Sequence, residues 1–199
     1  MKRAILVTFC AALLGGTGLY SATDSLQAFT AEGARRLAVS QIRPLAPDPI
    51  LETMAGQFKP LKGAVPQTTL IEFIYTTCPT ICQSAGGEFA RLRDLLAERR
   101  LSVRMISISF DPQTDTIEAL SDYGELHGAL GKTWTIARPD ITDLDTLLDF
   151  FKVTVIPDNW GGYQHNTAVL LINKEGRFSG VFDTNAYQAI LQAVEAPLS

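Results

Sequence analysis

The chain has 199 residues, of which 46% are hydrophobic and 19% are charged, and its formal net charge is −4. These values fit one globular domain that buries its own core, preceded by an N-terminal extension. An acidic chain without a stripe of Lys and Arg residues argues against nucleic acid as a partner, because phosphate binding needs clustered positive charge.

The first residues have the pattern of an export signal. Lys2 and Arg3 form a positive segment, and an apolar run follows that extends to about Tyr20. The run is slightly short for a membrane-spanning helix, which needs about 20 residues, and Tyr20 is bulky for a position next to a cleavage site. Residues 1–22 are therefore either a cleaved signal peptide or a retained membrane anchor. Both alternatives place the domain outside the cytoplasm, in the periplasm or anchored to the inner membrane and facing the periplasm. Cys10 is interpreted as a small apolar residue of this run.

Residues 23–50 are interpreted as a linker or extended segment, and residues 51–199 as the folded domain. Within the linker, FTAEGARRLAVSQ has the pattern of a short amphipathic helix, whereas IRPLAPDPI is Pro-rich and extended. In the domain, strands are predicted at 69–75, 101–110 and 133–138, helices at 84–100, around 117–123 and at 143–151, a hairpin at 167–172 with 177–183, and a last helix at 185–194. This order predicts an α/β fold with a mixed central sheet flanked by helices.

Two cysteines, Cys78 and Cys82, follow the first predicted central strand and open its helix. In open α/β sheets, functional residues collect at the carboxyl ends of the strands. A helix N-terminus stabilises an anion, so a thiol there ionises more readily, which favours both nucleophilic attack and metal binding. If the segment is helical, the two side chains share one face with Cα atoms about 6 Å apart. That separation permits a disulfide and also permits two sulfur ligands on one metal ion.

The two histidines differ in their predicted surroundings. His127 falls on the predicted second helix, near Tyr123, and is interpreted as a half-buried helix residue. His165 follows the polar sequence PDNWGGYQ just before a strand, so we expect it in a loop at the end of the sheet. Structural zinc usually takes four Cys or His ligands, whereas two thiolates and one imidazole suit copper, as Cu(I) or as tetragonal Cu(II).

Three segments resemble the Sco/SenC family in order and spacing: FIYTTCPTIC, ISISFDPQTDT and YQHNTAVLLINKEGRF. The matching positions are Thr76, Cys78, Pro79 and Cys82 in the first, Asp111, Pro112, Asp115 and Thr116 in the second, and His165 in the third. The likeness covers roughly residues 55 to 185. It implies a thioredoxin-like fold, copper as the bound metal and Cys78, Cys82 and His165 as its ligands.

The resemblance also implies a function and a partner. Members of the family are anchored or exported proteins that bind copper for the assembly of cytochrome oxidase. This chain would then be a metallochaperone rather than an enzyme, and it would pass copper to the binuclear copper site of the oxidase. Its partner would be the oxidase subunit that carries that site, or another copper carrier of the cell envelope.

The sequence departs from the family pattern at three positions. Gln83 replaces the usual Pro after the second cysteine, and Gln164 replaces the usual Asp before the histidine. Loss of that acid removes a neighbour that could tune the imidazole. Glu72 stands in the central strand where the family has an apolar or aromatic residue.

Glu72 supports an alternative function on the same fold. Thioredoxins carry a buried acid six positions before their first active-site cysteine, and Glu72 has the same spacing to Cys78. A buried carboxyl group would tend to hold its proton and could act as a proton shuttle. The chain would then be a thiol–disulfide oxidoreductase in which Cys78 attacks and Cys82 resolves. A third alternative is a peroxide-reactive or redox-sensing role. Alternatively, Glu72 lies at the sheet edge and points to solvent.

Overall fold

The computed structural model of the chain describes residues 2–77, 81–129, 132–158 and 162–196. The side chains of residues 2–7 and 81–84 are not part of that description. The chain divides into two compact units, Met1–Ile42 and Arg43–Ser199.

The first unit contains two helices, α1 (Lys2–Ala22) and α2 (Ala31–Ile42). Helix α2 is the amphipathic helix that the sequence predicts, and Glu32 in its first turn pairs with Arg35 and Arg36 one turn later. Such pairs at helical spacing add a few tenths of a kcal/mol each, about 0.2–0.5 kcal/mol. No helix within the described residues has the length and apolar character needed to cross a membrane.

The second unit is built on a seven-stranded sheet. Its strands are β1 (Ile50–Thr53), β2 (Phe58–Pro60), β3 (Thr69–Ile74), β4 (Arg104–Ser109), β5 (Trp134–Pro139), β8 (Val169–Ile172) and β9 (Phe178–Phe182); β6 (Val155–Pro157) and β7 (Tyr163–His165) form a separate hairpin. The strand order is β2-β1-β5-β4-β3-β8-β9. Strands β3, β4 and β5 are parallel neighbours, and the other pairings are antiparallel. The predicted mixed sheet is confirmed.

Helices cover both faces of this sheet. They are α3 (Ile81–Glu98), α4 (Ile117–His127), α5 (Ile141–Phe151) and α6 (Tyr187–Glu195). The parallel connections β3–α3–β4 and β4–α4–β5 explain the alternation seen in the sequence, since parallel strands need a crossover between them. Thr116 and Asp140 cap the N-termini of α4 and α5 by accepting hydrogen bonds from backbone N–H groups.

Strand β3 lies in the interior, and all six of its residues are buried. One face carries Leu70 and Ile74, which pack in the main core with residues of α3, α4 and α6. The opposite face carries Phe73, whose ring centroid lies 5.8 Å from that of Phe151 in α5. Helices on both sides therefore make β3 a nearly continuous apolar strand, and Glu72 is an exception that lies between Leu70 and Ile74 on the main-core face.

Two hairpins differ from the sequence expectations. The β1–β2 hairpin at the sheet edge is absent from the predicted elements, because its strands have only four and three residues and one ends at Pro60. The polar segment expected as a loop contains the β6–β7 hairpin, in which Val155 pairs with His165. His165 is therefore the last residue of a short strand, and not part of a loop.

Candidate metal centre

The cysteine segment connects β3 to α3. Cys78 lies outside the described residues, and Cys82 is the second residue of α3, although its side chain is not described. The backbone of Cys82 thus confirms the predicted position in the first helical turn, where the helix dipole favours a thiolate. Within the described side chains, no three His, Cys, Asp or Glu residues lie together as a metal site.

A buried carboxylate holds the chain just before Cys78. Asp115 is fully buried, and each of its oxygens lies 3.1 Å from the Thr76 N–H. Asp115 also accepts hydrogen bonds from the Thr76 hydroxyl at 2.6 Å and from the Ser109 hydroxyl at 2.5 Å. Burial raises the pKa of the Asp115 carboxyl, and the hydrogen bonds from Ser109 and Thr76 oppose that rise. The carboxylate therefore ties the end of β3 to the β4–α4 loop, two residues before Cys78.

His165 lies against an aromatic cluster formed by Tyr75, Phe110 and Tyr163. The Phe110 ring centroid is 4.9 Å from that of His165, 5.5 Å from that of Tyr163 and 5.2 Å from that of Tyr75. Tyr75 is the first residue after β3, and Phe110 is the first residue after β4. The hairpin that carries His165 is thus packed against the carboxyl ends of the two central parallel strands.

The hydroxyl of Tyr75 joins the hairpin to the end of β3. It donates to the Tyr163 carbonyl and accepts from the Tyr163 N–H, with both oxygen and nitrogen at 3.3 Å. Tyr75 precedes Cys78 by three residues, and Tyr163 precedes His165 by two. The structure therefore holds the strand that carries His165 at the end of β3, from which the chain leads to Cys78.

The imidazole of His165 has the properties of a metal ligand. Its two ring nitrogens are inaccessible to solvent and have no hydrogen-bond partner within the described part of the chain. Burial lowers the pKa of His165, so the neutral ring, which is the form that binds metals, predominates near neutral pH. A buried polar atom without a partner is costly, and a metal ion bound to the unprotonated nitrogen of the ring would remove that cost for one of the two nitrogens.

Glu72 is buried, with 1% of its surface exposed, between the paired strands β4 and β8. The alternative that it points to solvent at the sheet edge is therefore wrong. Oε1 accepts a 2.6 Å hydrogen bond from the Ser107 hydroxyl, and Oε2 has no partner among the described residues. Burial raises the pKa of Glu72 to about 8, although the hydrogen bond from Ser107 acts in the opposite direction.

His127 lies in a different part of the domain. It is the last residue of α4, half-buried as expected, with its ring centroid 4.5 Å from Tyr123 and 6.4 Å from Trp134. Burial lowers its pKa as well. Its ring neighbours belong to α4 and β5 and not to the end of β3, so His127 can serve as a control for His165 within the same chain.

Sequence reasoning did not assign roles to Tyr75 or to Ser109, and it gave Asp115 only as a motif match. Tyr75 is separated from Tyr163 by 88 positions, and Thr76 from Asp115 by 39, so no local pattern reveals these contacts. The one local sign in the sequence is that an aromatic residue, Tyr75, stands three positions before Cys78. Gln164, which departs from the family pattern, is exposed and alternates with Tyr163 and His165 along β7.

The family model described as SCO1/SenC matches residues 61–196, which is more than half of the chain. The chain belongs to the SCO1/SenC family. A curated relative, a SCO2-like protein of Rickettsia prowazekii, is 26% identical over 113 residues. That alignment covers 55% of this chain and 55% of the relative.

Solved structures of Sco proteins share the fold. A SCO1/SenC family lipoprotein from Bacillus anthracis superimposes with a TM-score of 0.72 at 19% identity, over 77% of this chain and 95% of that protein. Arabidopsis thaliana ScoI with copper bound gives a TM-score of 0.64 at 16% identity, over 76% of this chain and 98% of its own. The predicted α/β, thioredoxin-like fold with a mixed central sheet is confirmed.

Proposed function

We propose that this Sco protein is a copper metallochaperone that serves the assembly of the binuclear copper site of cytochrome c oxidase. Cys78 and Cys82 provide two thiolates, and His165 provides the imidazole. The single observation that carries the proposal is the buried, neutral His165 ring, whose two nitrogens lack a partner among the described residues. Membership of a family with a copper-bound structure supports copper as the metal.

The chemistry of the ligands suits a metal that is carried and then released. Soft thiolates favour Cu(I), and an added imidazole suits tetragonal Cu(II), so the set accepts either oxidation state. Asp115 fixes the backbone of Thr76 before the first thiolate, and the aromatic cluster of Tyr75, Phe110 and Tyr163 shields His165 from water. Copper is the cargo here, and the receiving partner is the oxidase subunit with the copper site or another envelope carrier.

The location of the protein is part of the same proposal. Residues 1–22 act as a signal peptide or a membrane anchor, residues 23–50 as a linker and residues 51–199 as the copper-binding domain. The positive start and the apolar run support export, to the periplasm or to the outer face of the inner membrane. A structural neighbour from Bacillus anthracis is a SCO1/SenC family lipoprotein, which supports an exported, membrane-anchored protein.

A copper titration of the reduced full-length protein tests the proposal. We expect one copper ion per chain, with X-ray absorption spectra of the Cu(II) form that contain both sulfur and nitrogen ligands. A stoichiometry well below one, or a spectrum with oxygen and nitrogen ligands alone, would contradict the assignment of the thiolates. A Cys78→Ser and Cys82→Ser double variant is the control for adventitious binding elsewhere.

Glu72 favours a second candidate function, thiol–disulfide exchange. In that reaction the Cys78 thiolate attacks a substrate disulfide and releases one substrate thiol as a mixed disulfide forms. Cys82 then attacks the Cys78 sulfur, releases the second substrate thiol and leaves the Cys78–Cys82 pair oxidised by two electrons. A carboxyl group with a pKa of about 8 suits the proton transfers of these steps.

The two functions separate when Glu72→Gln is compared with the wild type. Reduction of a model disulfide should slow in Glu72→Gln if the carboxyl group shuttles a proton, whereas copper affinity should change little. Glu125→Gln, at an exposed position of α4, is the matched control. Exchange that is equally fast in all three proteins would remove Glu72 from the reaction, and no exchange in any of them would favour the metallochaperone.

A further inference from the structure

One tyrosine hydroxyl satisfies two backbone groups of the strand that carries His165. The Tyr75 hydroxyl donates to the carbonyl of Tyr163 and accepts from its N–H, each over 3.3 Å. The two ring centroids are 5.2 Å apart and nearly perpendicular, so the side chains also pack edge to face. A hydroxyl group has one proton to donate and lone pairs to accept, which is what this double contact uses.

The pairing of β6 with β7 leaves the backbone N–H and carbonyl of Tyr163 without a partner in the ladder, and the Tyr75 hydroxyl supplies one for both. The Asp158 N–H donates to the Gly162 carbonyl over 2.8 Å, so the next pair, Pro157 with Tyr163, is a non-hydrogen-bonded pair of the antiparallel ladder, and the Tyr163 N–H and carbonyl point away from β6. Both strands have only three residues and form their own two-stranded sheet. Isolated hairpins of this kind are marginal in water, so contacts with the main sheet decide how well the hairpin is held.

The orientation of His165 depends on the position of Tyr163. Residues two apart in a strand point to the same face, and the rings of Tyr163 and His165 both contact Phe110, with centroid distances of 5.5 and 4.9 Å. Holding the Tyr163 backbone therefore holds the imidazole against Phe110. Gly162 leaves the space for this arrangement, because a Cβ atom there would lie 3.2 Å from the Tyr75 hydroxyl oxygen.

We propose that Tyr75 is a positioning residue for His165. Its hydroxyl fixes the hairpin to the end of β3 and so sets the imidazole relative to the cysteine segment that begins three residues later. An effect of Tyr75 on copper binding rests on the proposed copper function, whereas the hydrogen bonds between Tyr75 and Tyr163 are present without copper. A Phe at this position would keep the ring packing and lose the two hydrogen bonds.

The first test uses the protein without copper. Diethyl pyrocarbonate reacts with unprotonated imidazole nitrogens, and those of His165 become accessible only when the hairpin opens. The chain has two histidines, so mass spectrometry can follow His165 with His127 as the internal reference. Tyr75→Phe should raise the rate ratio of His165 to His127 by about fivefold to thirtyfold, the factors expected for the loss of one or of both hydrogen bonds.

Tyr187→Phe is the matched control, because the Tyr187 hydroxyl is buried without a hydrogen-bond partner in the described structure. This control should leave the ratio unchanged. An unchanged ratio in Tyr75→Phe would overturn the inference, and so would an equal rise in both variants.

The second test is a double-mutant cycle on Cu(II) affinity. Tyr75→Phe should weaken Cu(II) binding by about fivefold to thirtyfold when His165 is present, and it should have no effect in a His165→Ala background. Equal weakening in both backgrounds would overturn the inference, since Tyr75 would then act through another group. If His165→Ala itself leaves Cu(II) binding intact, the proposed ligand set fails, while the labelling ratio still decides whether Tyr75 holds His165.

Discussion

The hydroxyl of Ser107 donates a 2.6 Å hydrogen bond to Oε1 of Glu72 in the middle of the sheet. The Trp134 indole N–H donates to the same serine oxygen at 2.9 Å, so the serine proton is directed to the carboxyl group. The second carboxyl oxygen has no partner among the described residues. A protonated carboxyl group suits this environment better than a charged one, which agrees with its pKa of about 8.

This pair predicts how stability depends on pH. The pKa of Glu72 is about 8 in the folded protein against an ordinary value of 4.5, so the folded state binds the proton more tightly. The stabilisation from this proton is complete below the ordinary pKa and is lost as the pH rises towards the folded pKa. Glu72→Gln should thus have a free energy of unfolding close to that of the wild type at about pH 5 and exceed it by a few kcal/mol at about pH 9.

Urea unfolding of the wild type, Glu72→Gln and Glu125→Gln across this pH range measures the effect. Glu125 is exposed, so its variant should follow the wild type throughout. A difference between Glu72→Gln and the wild type that does not change with pH would show that the carboxyl group is charged or hydrated in the folded protein.

Two residues that donate to the Asp115 carboxylate, Thr76 and Ser109, should differ in how much their substitution weakens copper binding. Thr76→Val and Ser109→Ala each remove one hydroxyl that donates to Asp115, so each should lower the free energy of unfolding by about 1–3 kcal/mol. The Thr76 change loosens the segment that leads into Cys78, whereas the Ser109 change leaves that segment attached. At similar stability, Thr76→Val should weaken copper binding several-fold more than Ser109→Ala does.

Copper titration combined with urea unfolding of both variants makes this comparison. A loss of copper affinity that simply follows the loss of stability in the two proteins would argue that Asp115 supports the fold alone.

Adjacent glycines in α3 should respond in opposite ways to alanine. A Cβ atom at Gly86 would overlap the Tyr123 hydroxyl and lie 2.7 Å from Nε2 of His127, whereas a Cβ atom at Gly87 meets nothing within 4 Å. Gly86→Ala should cost about 1–3 kcal/mol through overpacking, and Gly87→Ala should gain about 0.5–1 kcal/mol through helix propensity. Thermal or urea unfolding of the pair tests the α3–α4 packing, and equal effects would contradict it.

Oxidation should control access to the metal site. Air oxidation is expected to join Cys78 to Cys82 and to abolish copper uptake, because a metal ligand must be a deprotonated thiol. A Cys10→Ser background leaves only this pair, since the chain has three cysteines. Thiol counting and copper uptake before and after treatment with a reductant follow the change. Two thiols that persist through prolonged oxidation would indicate that the cysteines do not approach each other.

The central strands and the helices between them could be predicted because their patterns are local. The apolar run that becomes β3 and the helical spacing of Phe89 and Leu92 in α3 each reflect burial against the same core. The edge hairpin β1–β2 could not be predicted, because strands of four and three residues are too short to show a clear alternation of apolar and polar residues. His165 was expected in a loop for the same reason, since three residues of β7 show too little alternation.

The sequence predicts a set of ligands for the candidate site, and that set stays a prediction, whereas the contacts that support the site could not be predicted. Cysteine spacing and the family resemblance point to Cys78, Cys82 and His165 without any knowledge of packing. The Tyr75 hydroxyl and the Asp115 carboxylate act across long sequence separations, and only the strand order brings them to the same place. The sequence leaves open whether Glu72 is buried or points to solvent at the sheet edge. A single strand does not reveal its neighbours in the sheet, which here are β4 and β8.

The most direct measurement is Cu(II) titration of the reduced protein for the wild type, His165→Ala and His127→Ala. Both histidines have buried nitrogens and lowered pKa values, but only His165 lies beside the segment that leads to the cysteines. We expect His165→Ala to weaken Cu(II) binding by at least about tenfold, a loss of about 1.4 kcal/mol or more, and to remove the nitrogen signature from the spectrum. His127→Ala should leave both the affinity and the spectrum unchanged. Equal effects of the two substitutions would contradict the assignment of His165 as the copper ligand.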